Sequence, residues 1–290
     1  MKLVPFFAVA FIAAMLAVVV NDTITRSYHT VGTEKQESRW EHIKRTGELR
    51  CGYLNYPPLQ MKDPVTGRMG GLFTELVEEI GRELNVKIVW VSEVANAQIM
   101  SDLNLNRLDM ICAPFYVTPG RAREGSFSIP FMYHPSYIYV RADDTRFDND
   151  YARANNSDVT FSTQDGEFSA IVVREHFPKA KTASIPQLSS PTELFTQVTD
   201  KKADAVVLEP FGFMNFNRNN PHKLRQVLGE PVAVTAFAMP LPAHEPDFKE
   251  AIDGTITYLL GMGAVEKLLE KYETPELKFL HLAKPYAIAK

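Results

Sequence analysis

The sequence predicts an α/β protein whose globular part contains two α/β units. One observation is that short apolar runs alternate with amphipathic segments at helical spacing, the pattern of a parallel sheet with right-handed crossovers. Another is that this alternation occurs twice, and two extended segments, 137–141 and 232–239, carry the chain between the two occurrences. We therefore expect two lobes joined by a hinge. Ligands of such sheets bind beyond the carboxyl ends of the strands, which here means a cleft between the lobes.

The first unit is predicted over 39–137 and is completed by the C-terminal part, 235–290. A helix begins at Trp40 and is ended by Gly47, because glycine readily adopts the left-handed conformation that follows a helix. The apolar positions of the next helix recur at helical spacing up to Asn85. Further elements of this unit are strands at 49–54, 86–91 and 108–115, and helices at 97–106, 247–258 and 264–272.

The second unit is predicted over 138–234. Strands are expected at 136–141, 158–162 and 203–208, and helices from the turn at Gly166 through Glu175 and over 192–199. The extended segment 231–240 then returns the chain to the first unit.

The first twenty residues have a different character. Residues 3–20 are uncharged, almost wholly apolar and about long enough to cross a hydrocarbon core of roughly 30 Å. A cleaved signal peptide and a retained membrane anchor both use such a run. Small residues at A-x-A spacing are missing before Asn21, which favours a retained N-terminal membrane helix followed by a polar tether over 21–38. Either device places the remainder of the chain outside the cytoplasm.

Composition gives no reason to expect nucleic acid, a metal or another cofactor. The 290-residue chain is 45% hydrophobic and 23% charged, with a net charge of -4 and a pI near 6.0. Its Lys and Arg residues are scattered and form no basic run. The seven His and two Cys residues lack the spacings that are typical of metal sites.

One turn carries the strongest indication of ligand binding. A buried strand runs into Thr118-Pro-Gly-Arg121, which opens a helix. A guanidinium at that place, beside unpaired backbone N–H groups, is suited to gripping a carboxylate through two parallel hydrogen bonds. A lone Arg at a helix start is more often a solvated surface residue, so the interpretation depends on the rest of the chain.

Several short motifs resemble those of a known family in their order and spacing. They are the segments 47–58, 66–67, 70–76 (GGLFTEL), 118–121 (TPGR), 127–131 (FSIPF) and 204–209 (DAVVLE). Together they resemble the family 3 extracellular solute-binding proteins, the amino-acid-type receptors of ABC importers, from about Gly47 to Tyr272. The resemblance implies a two-lobed periplasmic-binding-protein fold (Venus-flytrap, type II) whose lobes close on a small solute.

The resemblance also implies a set of ligand-binding residues. In such proteins the Arg of the Thr-Pro turn binds the α-carboxylate of the ligand, and the matching position is Arg121. An acid at the end of the strand that begins Asp-Ala meets the α-amino group, and Glu209 stands there. Aromatic walls are expected from Tyr53 or Tyr56 in the first loop and from Phe115, although each of these aromatics could equally be a core residue.

The predicted set also includes four residues of the two turns, Tyr116, Thr118, Gly166 and Glu167. Two of them depart from the family's pattern. Tyr116 stands where the family usually has a small hydroxyl residue, and Glu167 stands where it usually has a Thr or Ser that helps to hold the carboxylate. A Glu beside a ligand carboxylate would repel it by about 1 kcal/mol or more. Either Glu167 points to solvent, or the solute carries extra positive charge.

The resemblance also implies that the strands that carry Cys51 and Cys112 are neighbours in the first lobe. Outside the cytoplasm the two residues could form a disulfide if their Cα atoms lie within about 7 Å of each other. We expect instead two buried, reduced thiols that behave as small hydrophobic residues.

Three functions compete at this stage. The first is a receptor that captures a small zwitterionic or cationic solute and delivers it to the membrane permease of an ABC importer. The second is an enzyme that resembles cyclohexadienyl or arogenate dehydratases, in which Glu167 or Glu209 would act as general acid or base. The third is a ligand-sensing domain of a membrane signalling system. We expect the receptor and no enzymatic activity.

Overall fold

A computed structural model describes residues 37–274 and 277–283. The predicted anchor at 1–20 and all but the last two residues of the predicted tether lie outside the described residues. Within the part of the chain that is described, no helix is both long enough and apolar enough to cross a bilayer.

The elements follow one another in the alternating order that the sequence predicts. The helices are α1 Arg39–Thr46, α2 Leu72–Glu83, α3 Ile99–Asn104, α4 Pro119–Ala122, α5 Phe168–His176, α6 Thr192–Thr199, α7 Pro210–Asn219, α8 Pro246–Gly261 and α9 Ala264–Tyr272, with a 3-10 turn at Tyr151–Ala154. The strands are β1 Glu48–Tyr53, β2 Met61–Lys62, β3 Met69–Gly70, β4 Lys87–Glu93, β5 Met110–Ile111, β6 Phe115–Tyr116, β7 Ser126–Phe127, β8 Met132–Arg141, β9 Thr160–Gln164, β10 Lys181–Ile185, β11 Ala205–Leu208, β12 Leu224–Gln226, β13 Ala233–Ala238 and β14 Pro240–Leu241.

The first sheet is parallel, with the strand order β4-β1-β5. Its helices bury apolar faces against it, and α2 is an example, because its residues at helical spacing are almost fully inaccessible to solvent. Helices α2, α8 and α9 also contact one another, so the C-terminal helices complete the core that the N-terminal elements begin. The carboxyl ends of β1 and β5 lead into the loops that carry Tyr56 and Phe115.

The second sheet is mixed, with the strand order β10-β9-β11-β8-β13-β6 and β12 paired with β8. Strands β9 and β11 run parallel, as predicted, and β10 adds a third parallel strand beside β9. Strand β8 begins before the predicted extended segment 137–141, and its first half pairs antiparallel with β13, from Met132 opposite Phe237 to Ser136 opposite Ala233. The predicted segment itself pairs with β11 and β12. Separate apolar clusters cover this sheet.

Among the elements that differ from the sequence prediction are the following three. The strand predicted over 108–115 is split into β5 and β6, because Cys112, Ala113 and Pro114 leave the first sheet before Phe115 pairs with β13. Strand β10 and helix α7 were not predicted. Helix α7 is aromatic on several faces and its apolar residues do not follow one clear stripe.

Cys51 and Cys112 form a disulfide, with their Cα atoms 5.3 Å apart. Cys51 lies in β1 opposite Met110 of β5. Cys112 comes two residues after Met110 and so lies on the same face of the sheet, next to Cys51. Both residues are buried in the first core. The prediction of two reduced thiols is therefore wrong, and the alternative of a bridge is correct.

Candidate functional site

A cavity of about 660 Å³ lies where the loops of the two sheets meet. Its walls come from the loops after β1, β4 and β5 on one side and from the segments after β9, β10 and β11 on the other. These are the carboxyl ends of parallel strands, where α/β sheets bind ligands. Six of the predicted site residues line the cavity: Tyr56, Phe115, Tyr116, Arg121, Glu167 and Glu209.

Arg121 is placed in this cavity by the turn that the sequence identified. Thr118 is the residue before helix α4, and its hydroxyl accepts a hydrogen bond from the backbone N–H of Arg121 at 3.3 Å. Pro119 occupies the first helical position, where its missing N–H costs nothing. The guanidinium lies 5.2 Å from the centre of the Phe115 ring, within the range of a cation–π contact. The side chain of Arg121 is only 10% exposed.

The guanidinium of Arg121 already has a carboxylate partner. Its Nη2 donates to Oε1 of Glu167 at 2.9 Å and to Oε2 at 2.8 Å. The Nε2 of Gln187 donates to the same Oε1 at 3.2 Å. The side chain of Glu167 is 9% exposed, so the expectation that Glu167 could point to solvent is wrong. A positive φ of 71° at Gly166 makes the turn that brings Glu167 to the start of α5.

Glu209 lies between two buried tyrosine hydroxyls. The hydroxyl of Tyr116 donates to Oε2 of Glu209 at 2.8 Å, and that of Tyr56 donates to Oε1. Burial, reinforced by the negative charge of Glu209, raises the pKa of both tyrosines well above the usual value of 10. Both phenols therefore stay protonated and act as donors to this carboxylate. Glu209 immediately precedes Pro210, the first residue of α7.

Aromatic rings form much of the remaining wall. Tyr116 stacks on Phe168 with ring centres 4.2 Å apart and an interplanar angle of 8°. Tyr116 and Arg121 belong to the predicted first unit, 39–137, whereas Phe168 and Glu167 belong to the predicted second unit, 138–234. The stack and the Arg121–Glu167 pair therefore both connect the two segments of the chain. Tyr56 packs edge-on against Phe211 with ring centres 6.1 Å apart.

Three predicted site residues do not line the cavity. The ring of Tyr53 is buried against Trp90 and carries the ammonium of Lys62 5.5 Å above it, so Tyr53 is a packing residue. Thr118 acts as a helix cap and Gly166 as a turn residue, so each shapes the site without facing it.

His134 is a buried neighbour of the tyrosine cluster. Its ring is 1% exposed and packs against Phe211 and Phe237, with ring centres 4.6 Å apart in both cases. Burial lowers the pKa of His134 to about 4, although the negative charge of Glu209 opposes the shift. The neutral ring donates from Nδ1 to the carbonyl oxygen of Pro135 at 3.1 Å, while Nε2 has no hydrogen-bond partner among the described residues.

Sequence reasoning missed several residues of the cavity, among them Glu93, Phe168 and Gln187. Gln187 follows β10, which was not predicted, so nothing placed its loop at the carboxyl edge of the second sheet. Glu93 is the last residue of β4, a predicted strand. The rule that ligands bind beyond strand carboxyl ends would have identified it.

The arrangement is suited to binding a small charged solute. Among the described residues, Arg121 is the only Lys or Arg side chain that lines the cavity, whereas the carboxylates of Glu93, Glu167 and Glu209 all line it. No group of three or more His, Cys, Asp or Glu residues in the described part of the chain is arranged to hold a metal ion.

Comparison with known proteins identifies relatives across most of the chain. The amino-acid-binding protein AabA of Dichelobacter nodosus is 24% identical over 227 residues, which cover 75% of this chain and 85% of that protein. The membrane-bound lytic murein transglycosylase F of Aeromonas hydrophila is 25% identical over 235 residues, which cover 81% of this chain and 46% of that protein. This chain therefore spans about half the length of the transglycosylase.

Among solved structures, a mutant of the protein ArgBP from T. maritima has a TM-score of 0.65 and is 25% identical, with 81% of this chain and 98% of that chain covered. The α/β fold of this chain therefore matches that of two-lobed periplasmic binding proteins. Residues 49–275 match the family model of the bacterial extracellular solute-binding proteins, family 3. The chain belongs to this family of extracellular solute-binding proteins.

Proposed function

We propose that the protein is an extracytoplasmic receptor that captures a small amino-acid-like solute, zwitterionic or cationic, and delivers it to the permease of an ABC importer. Residues 39–137 and 235–290 would form one lobe and residues 138–234 the other. The antiparallel pair β8 and β13 would be the hinge, since the chain passes between the units along these two strands.

The observation that carries this proposal is the distribution of charge around the cavity. Arg121 reaches it from the segment proposed as the first lobe, while Glu167 and Glu209 reach it from the segment proposed as the second. Opposite charges on the two sides are the arrangement that a charged solute can bridge. A cavity of about 660 Å³ also falls within the range of roughly 300–1,000 Å³ that is typical of small-molecule sites.

The relatives support the same class of ligand. AabA is described as an amino-acid-binding protein, and the solved structures of ArgBP from T. maritima include an arginine-bound form. Residues 3–20 would act as a retained anchor or a cleaved signal peptide, and sequencing of the mature N-terminus distinguishes the two. A terminus between Val18 and Arg26 would exclude the anchor.

A thermal-shift screen of the purified 290-residue chain tests the proposal. The ligands are the twenty amino acids, simple amines and prephenate, each at 1 mM, with product formation followed by mass spectrometry. A ligand present at 100 times its Kd adds about 2.7 kcal/mol to the free energy of unfolding. For a chain of 290 residues that corresponds to a rise in Tm of roughly 4–5 °C.

A rise with an amino acid or amine, without turnover, supports the receptor. No rise with any member of the screen contradicts it. Conversion of prephenate to a dehydrated product would show that the dehydratase-like alternative is the correct one.

A further inference from the structure

The carboxylate that Arg121 binds belongs to the chain itself. Both oxygens of Glu167 accept from Nη2 of Arg121, and Gln187 supports the same carboxylate. We propose that Glu167 occupies the position a ligand carboxylate would need, so that the site takes a cationic amine that carries no carboxylate. This inference rests on the proposed function and narrows its ligand class.

A ligand carboxylate would have to displace Glu167 from Arg121. The side chains of the pair are 10% and 9% exposed, so a displaced Glu167 would keep only the amide of Gln187 as a donor in the same buried place. Removing one partner of a buried ion pair is costly, because the remaining charge loses its compensation. The incoming carboxylate would also stand beside a second negative charge.

Apart from Arg121, no Lys or Arg residue in the described part of the chain lines the cavity. With Arg121 and Glu167 neutralising each other, the carboxylate of Glu209 has no Lys or Arg partner among the described residues that line the cavity, and the exposed Glu93 adds a further negative charge. The hydroxyls of Tyr56 and Tyr116 satisfy hydrogen-bond positions on Glu209 but bring no positive charge. A ligand with an ammonium or guanidinium group supplies that charge.

The ligand class follows from these two constraints. The solute is an alkyl amine with one or two positive groups, and the decarboxylated counterparts of arginine and lysine, agmatine and cadaverine, are suitable probes. Each differs from its amino acid only by replacement of the carboxylate with hydrogen. The two pairs therefore isolate the contribution of the carboxylate.

Isothermal titration calorimetry of the full chain, in mild detergent because residues 3–20 are apolar, measures Kd for agmatine, arginine, cadaverine and lysine. We expect at least one amine to bind at least about tenfold more tightly than its amino acid, a difference of 1.4 kcal/mol. In Glu167→Thr, which frees Arg121, we expect the affinity for the amino acid to rise by more than the advantage that the amine has in the unmodified chain, so that the order reverses.

Two further variants complete the design. Glu167→Gln removes the negative charge but keeps the size and shape of the side chain. If the Thr variant does not fold, this variant still tests whether the charge of Glu167 excludes a ligand carboxylate. Glu175→Thr is the matched control, because Glu175 lies on the same helix with its side chain 60% exposed and does not line the cavity. The control is expected to leave the preference of the unmodified chain unchanged.

Tighter binding of the amino acid in both pairs by the unmodified chain would overturn the inference and leave the receptor proposal standing. An unchanged preference in both Glu167 variants would also overturn it. Failure of the folded protein to bind any of the four ligands would contradict the inference and the cationic-solute class together.

Discussion

Replacement of Arg121 by Met is expected to destabilise the protein strongly, because it leaves Glu167 buried without its cation. Met keeps an unbranched stem of similar length, so most packing beside Phe115 is retained while the guanidinium is lost. Two unit charges about 4 Å apart interact by about 4 kcal/mol at the effective dielectric constant of 20 that suits such sites. Leaving one partner of a buried pair uncompensated typically costs 3–5 kcal/mol. The loss of the cation–π contact with Phe115, at 5.2 Å, adds about 1 kcal/mol.

A double-mutant cycle measured by urea denaturation separates the ion pair from these other effects. The four proteins are the unmodified chain, Arg121→Met, Glu167→Gln and the double variant. The double variant has no lone charge, so its loss of stability should fall short of the sum of the single losses by at least about 2 kcal/mol. Losses that add within about 0.5 kcal/mol would refute the reasoning, because independent sites behave in that way.

The remaining predictions concern the wall of the site and the first core. Glu209→Gln should weaken binding of a cationic solute at least about 30-fold, or 2 kcal/mol, in calorimetry, and a change below about twofold would exclude Glu209 from the site. The free energy of unfolding should fall between pH 7.5 and pH 5 by about 2 kcal/mol less in His134→Phe than in the unmodified chain. The reason is that the buried ring, with a pKa of about 4, stays neutral in the folded state, whereas the ring of the unfolded chain takes up a proton below about pH 6.5. An equal loss in both proteins would contradict this. Replacing both Cys51 and Cys112 by Ala should lower the free energy of unfolding on the order of 4 kcal/mol, because the bridge closes a loop with a sequence separation of 61, and a reductant should then have no further effect on Tm.

The sequence predicts the fold well where local patterns are strong. Helices at 192–199 and 264–272 have the bounds that apolar spacing predicted, since each presents an amphipathic stripe to the core. The Thr-Pro turn also behaves as predicted, because Thr118 and Pro119 specify a helix start through local chemistry. Strand β10 could not be recognised, because four of its five residues are not buried and no apolar alternation marks it.

The candidate site was harder to predict than the fold. The sequence motifs pointed to Arg121 and Glu209, and both residues line the cavity. The motifs could not show which groups the two side chains contact. The pairing of Arg121 with Glu167 depends on two turns separated by 46 residues that meet in three dimensions. The resemblance offered Tyr53 or Tyr56 for the wall without deciding between them. Tyr56 lines the cavity, whereas Tyr53 is buried against Trp90.

The most direct test of this account is a crystal structure of the protein with a bound amine such as agmatine. We expect a ligand nitrogen within about 2.7–3.2 Å of the Glu209 carboxylate, with the hydrogen bonds between Arg121 and Glu167 intact. A ligand carboxylate seated on Arg121, with Glu167 turned away, would contradict it.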